Sequence, residues 1–209
     1  MTTATVTPPP AAVTPTPTQK KVWTEADLLA IPDDGVRRWI IKGQLREEPS
    51  EYPGVTVTVR NRHHSAIMSW VATAIAVWLR TQPRPRGEVY CGEVGVRLPG
   101  ADAAVGVDVA YAPPGVVAAQ DDDKTTMLDG RPALVVEILS PTTTQEQLDE
   151  KIDTYLEAAV PAVWVVHPTR RTVLVYRPGH EPELFNVTHR LPANPEMPGF
   201  APAVLELFE

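Results

Sequence analysis

Two carboxylates and a lysine are the residues of this sequence whose types and positions best suit chemistry. Glu137 is the single charge in the apolar run 134–139, Asp108 lies in a valine-rich segment, and Lys151 follows in a helical pattern. Carboxylate oxygens suit Mg²⁺ or Mn²⁺, and a lysine can offset charge that develops on a phosphate. The set predicts metal-dependent phosphodiester hydrolysis. The simpler alternative is a buried Glu137–Lys151 ion pair with Asp108 at a strand end.

The run 134–139 is apolar on both alternating faces, which is typical of a strand buried on both sides. An ionised Glu137 in that strand is costly unless a positive group compensates it, and both a metal ion and a lysine are candidates. On the following helix Lys151 lies at the edge of the buried stripe, about 60° from Leu148 at 100° per residue. We therefore expect Lys151 to reach back over the strand of Glu137.

Asp108 is expected on the opposite face of its strand from the larger apolar side chains. Alternation along an extended strand places its neighbours Val105, Val107, Val109 and Tyr111 on one face. The residues that flank Asp108 on its own face, Gly106 and Ala110, are small and leave room beside a carboxylate.

The surrounding pattern predicts an α/β domain with a mixed β-sheet flanked by helices. Thr24 and Asp27 indicate the start of the first helix, and Thr143 and Glu146 form a capping-box signature for the third. The strand at 134–139, the third helix and the strand at 162–166 are typical of a βαβ unit with a right-handed crossover. Helices are predicted at 25–30, Arg62–Arg80 and 144–159, and strands at 36–41, 44–48, 55–59, Glu88–Leu98, 105–112, 134–139, 162–166, 172–177 and 183–187.

The domain is expected to span residues 22–209. Residues 1–21 are rich in Pro and Thr and are expected to form a disordered tail. Residues 113–131 are expected to be a loop, and the apolar stretch 204–208 is expected to dock back on the body of the domain.

Composition excludes several classes of protein. The net charge of −7 argues against a surface built broadly for nucleic acid, although residues 1–100 hold 12 Lys and Arg against 9 Asp and Glu and leave room for a basic groove. The lone Cys91 excludes an intramolecular disulfide and is expected to be a small buried residue. Because no apolar run is long enough for a membrane span, we expect a cytoplasmic protein without membrane contact.

Several motifs, taken in order, resemble a bacterial family of putative restriction endonucleases within the PD-(D/E)XK nuclease superfamily. The likeness covers residues 22–208. It rests on the segments 23–29, 41–45, 107–109, 132–141 and 163–168, together with His64, Lys151 and Tyr155. The resemblance implies a restriction-endonuclease-like fold, with an N-terminal helix and hairpin before a long helix.

The resemblance also implies the roles of the site residues. Asp108 and Glu137 would bind Mg²⁺ or Mn²⁺, with the Ile138 backbone carbonyl as a third ligand, and Lys151 would be catalytic. Many superfamily members carry that lysine two residues after the glutamate, where this chain has Leu139. The family often has an acid in the first hairpin, where this chain has Trp-Ile-Ile-Lys at 39–42, and that departure weakens the expectation of activity.

By the same resemblance the expected substrate is DNA, and a homodimer would suit the cutting of two strands. His64, Ser140 and Tyr155 are candidates for shaping the site or contacting substrate. The candidates for phosphate contacts are Arg60, Arg62, Arg84 and Arg86. The alternative is a catalytically inactive nuclease-fold module for nucleic-acid binding, regulation or protein interaction.

Overall fold

The computed structural model describes residues 21–32, 34, 36–48, 61–121, 123–124 and 126–209. Within these ranges the elements are α1 (Glu25–Leu29), β1 (Arg38–Ile41), β2 (Gln44–Glu47), α2 (Arg62–Arg80), β3 (Glu88–Leu98), β4 (Ala103–Ala112), α3 (Pro114–Ala118), β5 (Leu128–Asp129), β6 (Leu134–Ile138), α4 (Gln145–Glu157), β7 (Val163–His167), β8 (Thr172–Tyr176) and β9 (Glu183–Asn186). Two short 3₁₀ segments cover Pro99–Ala101 and Val204–Leu207.

The described strands form one mixed sheet in the order β2-β1-β4-β6-β7-β8-β9, and β3 and β5 extend it from β4. Pairing is antiparallel except between β6 and β7 and between β3 and β5. The parallel pair β6–β7 is joined by α4, as the βαβ prediction required. The predicted α/β class with a mixed sheet and flanking helices is therefore confirmed.

Strand β4 pairs with other strands along both of its edges, and two different strands share one of those edges. β3 runs antiparallel along the full length of β4. On the opposite edge β1 pairs with Ala103 and Ala104, and β6 pairs with residues 109–111. None of the described strands pairs with residues 105–108 on that edge. The sheet therefore forks beside Asp108, where a polar site can open without breaking the apolar core.

A β-bulge in β3 lies opposite the fork. Cys91 pairs with Val109 and Val94 pairs with Val107, so Gly92 and Glu93 together face Asp108. Gly92 has a φ of 97° and Glu93 a φ of 63°. A bulge bends its strand and increases the local twist, and here it also turns the Glu93 side chain towards the fork.

Among the described residues, three apolar clusters cover the two faces of the sheet, and the two largest involve α2 and α4. α2 buries Ile67, Val71, Ile75 and Trp78 against one face, and α4 buries Tyr155 against the other. The predicted grouping on β4 is wrong in part, because Val109 and Tyr111 pack with α2 whereas Val105 and Val107 pack with Trp39 in the second cluster. The change of side falls at Asp108, where the bulge and the fork interrupt the regular ladder.

Helix α4 begins one residue later than its capping signal predicted. Thr144 is the N-cap and its side chain accepts a hydrogen bond from the Gln147 N–H. The Thr143 hydroxyl is used elsewhere, since it lies 3.2 Å from the Glu48 carboxylate. The Thr-x-x-Glu pattern at 143–146 therefore does not form a capping box, because the Thr143 hydroxyl donates to Glu48, almost a hundred positions earlier in the chain.

Of the remaining predictions, some are confirmed and others are wrong. The capping box of Thr24 and Asp27, the bounds of α2 and β3, and the docking of residues 204–208 are all confirmed. Cys91 is exposed rather than buried, because it lies at the bulge. The expected loop 113–131 holds α3 and β5. The predicted tail at 1–21, apart from Lys21, and the strand at 55–59 lie outside the described residues.

Among the described helices, none is both long enough and apolar enough to cross a membrane.

Candidate functional site

Glu137 and Lys151 form the buried centre of the candidate site. Lys151 Nζ lies 2.8 Å from Glu137 Oε1 and also donates to the Gly106 carbonyl at 2.9 Å. The Tyr155 hydroxyl donates to the same Glu137 oxygen at 2.5 Å. Lys151 and Tyr155 lie one turn apart on α4 and therefore share the face that covers β6. The predicted contact between Lys151 and the strand of Glu137 is present in this geometry.

Asp108 lies beside this centre on the next strand. The β4–β6 pairing ends at Val109 and Val136, one residue short of Asp108 and Glu137. The two carboxylates are nonetheless close enough for the charge of Asp108 to raise the pKa of Glu137.

The Asp108 carboxylate takes the place of a backbone acceptor at the fork. Its Oδ2 accepts from the Ile138 N–H at 2.7 Å and lies 3.2 Å from His64 Nε2. Its Oδ1 accepts from Arg37 at 2.9 Å. Both carboxylate oxygens thus have strong donors, which explains how a fully buried Asp108 is accommodated.

Arg37 contacts three carboxylates of the site, and sequence analysis did not single it out. Its guanidinium donates to Glu48 at 2.8 Å and to Asp108 at 2.9 Å, and it pairs with Glu93 at 2.5 Å. These carboxylates come from the end of the first hairpin, from β4 and from the bulge. A charge two positions before the buried Trp39 on the same strand face was the available signal. Nothing local marks Glu48 or Glu93 as its partners.

Glu48 connects this cluster to the loop before α4. Its Oε1 accepts hydrogen bonds from Ser140 at 3.1 Å and from Thr142 and Thr143 at 3.2 Å each. Ser140, a candidate for shaping the site, therefore acts on Glu48 rather than directly on Glu137. The loop is held close to the carboxylates by these hydroxyls.

The surroundings shift the protonation of both central acids. Burial raises the pKa of Glu137, Lys151 opposes that shift, and the nearby Asp108 charge adds to it. Burial also acts to raise the pKa of Asp108, but His64, Arg37 and the Ile138 N–H together lower it. Asp108 is therefore held as a carboxylate, whereas Glu137 is the acid that protonates more readily.

The pKa values of Tyr155, His64 and Glu48 are also shifted by their surroundings. Burial and the Glu137 charge raise the pKa of Tyr155, so its hydroxyl remains a donor. Burial favours neutral His64, but Asp108 outweighs burial and raises the pKa of His64. Burial also opposes ionisation of Glu48, yet Arg37 and Ser140 lower its pKa.

A small cavity of about 20 Å³ lies against these groups. This volume has room for about one water molecule. Glu48, Glu137, Ile138 and Lys151 contribute to its wall, as does Trp39. The buried Trp39 indole N–H has no hydrogen-bond partner among the described residues, and its ring lies 5.3 Å from Lys151 Nζ. The cavity therefore offers two carboxylates and an unused donor to a small polar occupant.

The donor set fits a hard cation held in part by water. Within the described residues no group of three or more His, Cys, Asp or Glu side chains is arranged to hold a metal ion. Mg²⁺ requires no such group, because it is usually bound by one or two carboxylates and keeps several waters. Glu48, Glu137 and Ile138, all on the wall of the small cavity, are the residues best placed to supply oxygen donors.

The remaining candidates lie at differing distances from this centre. His64 contacts Asp108, and Tyr155 contacts Glu137. Arg62 opens α2 two residues before His64 and lies nearly on the opposite side of the helix, at 100° per residue. Arg84 and Arg86 lie past the other end of α2, which rises about 24 Å between His64 and Arg80 at 1.5 Å per residue. Arg86 donates there to the carbonyls of Gln82 and Arg80. Arg60 lies outside the described residues.

Comparison with known proteins places this arrangement in a family. The fold is similar to the crystal structure of a putative nuclease from Anabaena variabilis ATCC 29413, with a TM-score of 0.71 and 20% sequence identity over 88% of this chain and 96% of that chain. No curated protein matches the sequence. The sequence model of the Uma2 family, described as putative restriction endonucleases, matches residues 27–206. Because that match spans most of the chain, the protein belongs to the Uma2 family of putative restriction endonucleases.

Proposed function

We propose that this protein is a metal-dependent nuclease that hydrolyses phosphodiester bonds in DNA. The observation that carries the proposal is the buried contact of Lys151 with Glu137, set beside Asp108 at the fork of the sheet. Membership of a family described as putative restriction endonucleases supports the reaction class. The small cavity beside Glu48 and Glu137 supports the cation.

In this proposal Glu137 and Asp108, with the Ile138 carbonyl, would hold one Mg²⁺ or Mn²⁺, and Glu48, which also lines the cavity, would contribute. When bound, the cation would polarise the phosphate and make an attacking water more acidic. Asp108 would become available to the cation only if the Arg37 guanidinium moved away from Oδ1, because both Asp108 oxygens already have donors.

Lys151 carries the second part of the chemistry. Its ammonium group lies within hydrogen-bond distance of Glu137 and of the Gly106 carbonyl, which fixes its position at the cavity wall. A fixed positive charge there stabilises the negative charge that develops on the phosphate oxygens. Tyr155 orients Glu137 by donating to its Oε1 and leaves the other oxygen for the cation.

The test is Mn²⁺-dependent cleavage of supercoiled plasmid DNA by the wild type and by Glu137→Gln and Lys151→Met. We expect each variant to lose about a hundredfold or more in rate, the scale for removal of one group that stabilises a transition state. Control variants Lys42→Met and Glu157→Gln each remove one partner of an exposed ion pair between the β1–β2 turn and α4, and both should cleave like the wild type. Equal rates for all five proteins would refute the site.

A second readout separates loss of the site from loss of folding. Binding of Mn²⁺, followed by electron paramagnetic resonance, should weaken in Glu137→Gln but persist in the two control variants. Circular dichroism melting of every variant shows whether it is folded. A folded Glu137→Gln that binds Mn²⁺ as tightly as the wild type would exclude Glu137 as a ligand.

One observation favours a second function. Arg37 already neutralises Asp108 through a direct hydrogen bond, as a metal ion would. A nuclease-fold module without turnover, for nucleic-acid binding, regulation or protein interaction, is consistent with that contact. It predicts nucleic-acid or protein binding that is indifferent to Mg²⁺, Mn²⁺ and chelators, with no cleavage by the wild type.

We also propose that the active form is a homodimer, because two sites are needed to cut two strands. Analytical ultracentrifugation, with and without duplex DNA, tests this directly. A monomer in both conditions that still makes double-strand breaks would contradict it.

A further inference from the structure

A groove of about 890 Å³ lies next to the candidate site. It is bounded by the first turns of α2, by the loop between β6 and α4, and by the turn between β7 and β8. Leu139, Thr143 and Leu148 line both this groove and the small cavity beside Glu137. Whatever occupies the groove therefore lies one side chain away from the proposed reaction centre.

Trp70 supplies an aromatic surface to the groove. It is 44% exposed, which is unusual for so large an apolar side chain, and it lines the groove directly. His63, Ala66 and Ile67 line the same wall, because residues four and three positions apart share one face of a helix. The helix thus presents a flat indole bordered by small and polar side chains.

The charge of the groove differs from that of the protein as a whole. Its one lining carboxylate among the described residues is Glu209, which lies 3.3 Å from Arg171. The other ionisable groups that line it are Arg171, His63, His64 and His167. By contrast, the shallow pocket on the outer face of α4 is lined by Glu146, Asp149, Glu150, Asp153 and Glu157. In a chain of net charge −7, the groove is a surface that a polyanion can approach.

His64 connects the groove to the site chemically. Its Nε2 is engaged by Asp108, whereas its buried Nδ1 has no hydrogen-bond partner in the part of the chain that the structure describes. A buried polar atom without a partner is costly. Because His64 lines the groove, a hydrogen-bonding group of a bound molecule would satisfy it.

We propose that this groove binds an unpaired nucleobase, so that the substrate is a nucleic-acid strand with single-stranded character beside the scissile phosphodiester. The inference rests on the proposed function. The volume lies within the range of pockets that enclose small molecules and is large enough for one nucleotide. Trp70 provides the stacking surface on which a base of any sequence can lie. The histidines and loop hydroxyls supply polar contacts to the base edge.

The experiment measures binding without turnover. A ten-nucleotide single strand labelled with fluorescein and the same sequence as a duplex are titrated against the full chain in Ca²⁺, with fluorescence anisotropy as the readout. We expect tighter binding of the single strand. Trp70→Ala should weaken single-strand binding by about 5-fold to 150-fold, the loss that removal of one base–aromatic stack produces, while Trp70→Phe should retain most of the affinity.

Val77→Ala is the matched control, because Val77 is also an exposed apolar residue of α2 but does not line the groove. It should bind like the wild type. A single strand containing 2-aminopurine reports the stack itself, because its fluorescence is quenched when the base stacks and should recover in Trp70→Ala. Equal affinity for single strand and duplex, or an unchanged affinity in a folded Trp70→Ala, overturns the inference.

The two proposals fail in distinguishable ways. Single-strand binding that depends on Trp70, in a protein that never cleaves with Mn²⁺, would retain the groove assignment and reject the nuclease. Cleavage that depends on Glu137 but not on Trp70, with duplex and single strand bound alike, would retain the nuclease and reject the groove.

Discussion

Arg37 donates to carboxylates from three parts of the chain, and its guanidinium is largely buried. Burial disfavours the charged form of Arg37, yet Asp108, Glu93 and Glu48 together raise its pKa. An arginine in such a position is a structural counter-ion. Its removal leaves several carboxylates close together with too little positive charge between them.

Arg37→Met should therefore lower the free energy of unfolding at neutral pH by about 3–5 kcal/mol, the scale for breaking a buried ion pair by removing one partner. Urea unfolding followed by circular dichroism measures it. Millimolar Mg²⁺ should restore part of the lost stability, because a cation that binds only the folded state stabilises it.

Arg38→Met is the matched control. Arg38 is the next residue and also makes ion pairs, but its partners Asp34 and Glu47 are each about half exposed. Exposed pairs contribute about 0–1 kcal/mol. Equal losses in Arg37→Met and Arg38→Met would show that the Arg37 cluster is no more than a surface network.

Helix α4 carries Lys151 and Tyr155 to the sheet, and its end is shaped by an unusual residue. The N–H of Val160 donates to the Tyr155 carbonyl at 3.0 Å, and that of Ala159 donates to the Leu156 carbonyl at 2.9 Å. This pattern is a Schellman motif. It places Ala159 in the left-handed region, with a φ of 56°, where glycine is usual.

Ala159→Gly should raise the free energy of unfolding by roughly 0.5–1 kcal/mol, because it relieves the steric cost of a side chain in the left-handed region. Ala158→Gly, at a φ of −74°, should lower it by a similar amount because glycine adds flexibility to the unfolded chain without relieving strain. Chemical denaturation of both variants provides the measurement. Destabilisation of similar size in both would contradict the assignment.

The carboxyl-terminal segment completes the core of the molecule on the α2 face. Phe200 is buried, stacks on Trp164 with ring centroids 5.9 Å apart, and lies 5.4 Å from the Trp78 ring. Val204 and Leu207 join the same apolar cluster. The carboxyl-terminal segment thus packs between α2 and β7, although most of it forms no regular helix or sheet.

Phe200→Ala should cost about 3–5 kcal/mol, the usual loss for truncating a buried aromatic side chain, and should lower the thermal midpoint accordingly. Leu205→Ala truncates a side chain of the same segment that is 38% exposed and should change stability by about 0.5 kcal/mol or less. Differential scanning calorimetry compares the two. An equal, small effect would mean that the segment is only loosely attached.

At the scale of the molecule, sequence reasoning recovered what depends on local periodicity. The bounds of α2 and β3, the parallel pair β6–β7 and the placement of Lys151 follow from helical and alternating patterns. The fork, the bulge and the contacts of Arg37 with Glu48 and Glu93 were missed. They depend on which strands meet, and no short-range pattern records that a charge at 37 will face carboxylates at 48, 93 and 108.

The fork has a consequence for how such proteins change over time. Asp108 accepts a hydrogen bond from the Ile138 N–H, and Lys151 donates to the Gly106 carbonyl. At the fork, polar side chains therefore replace the backbone hydrogen bonds of a regular ladder. A related protein without catalytic activity would still need these residues to keep the sheet closed. Selection for folding alone would therefore retain them. Their presence in a related sequence would indicate an intact fork and would not by itself indicate catalytic activity.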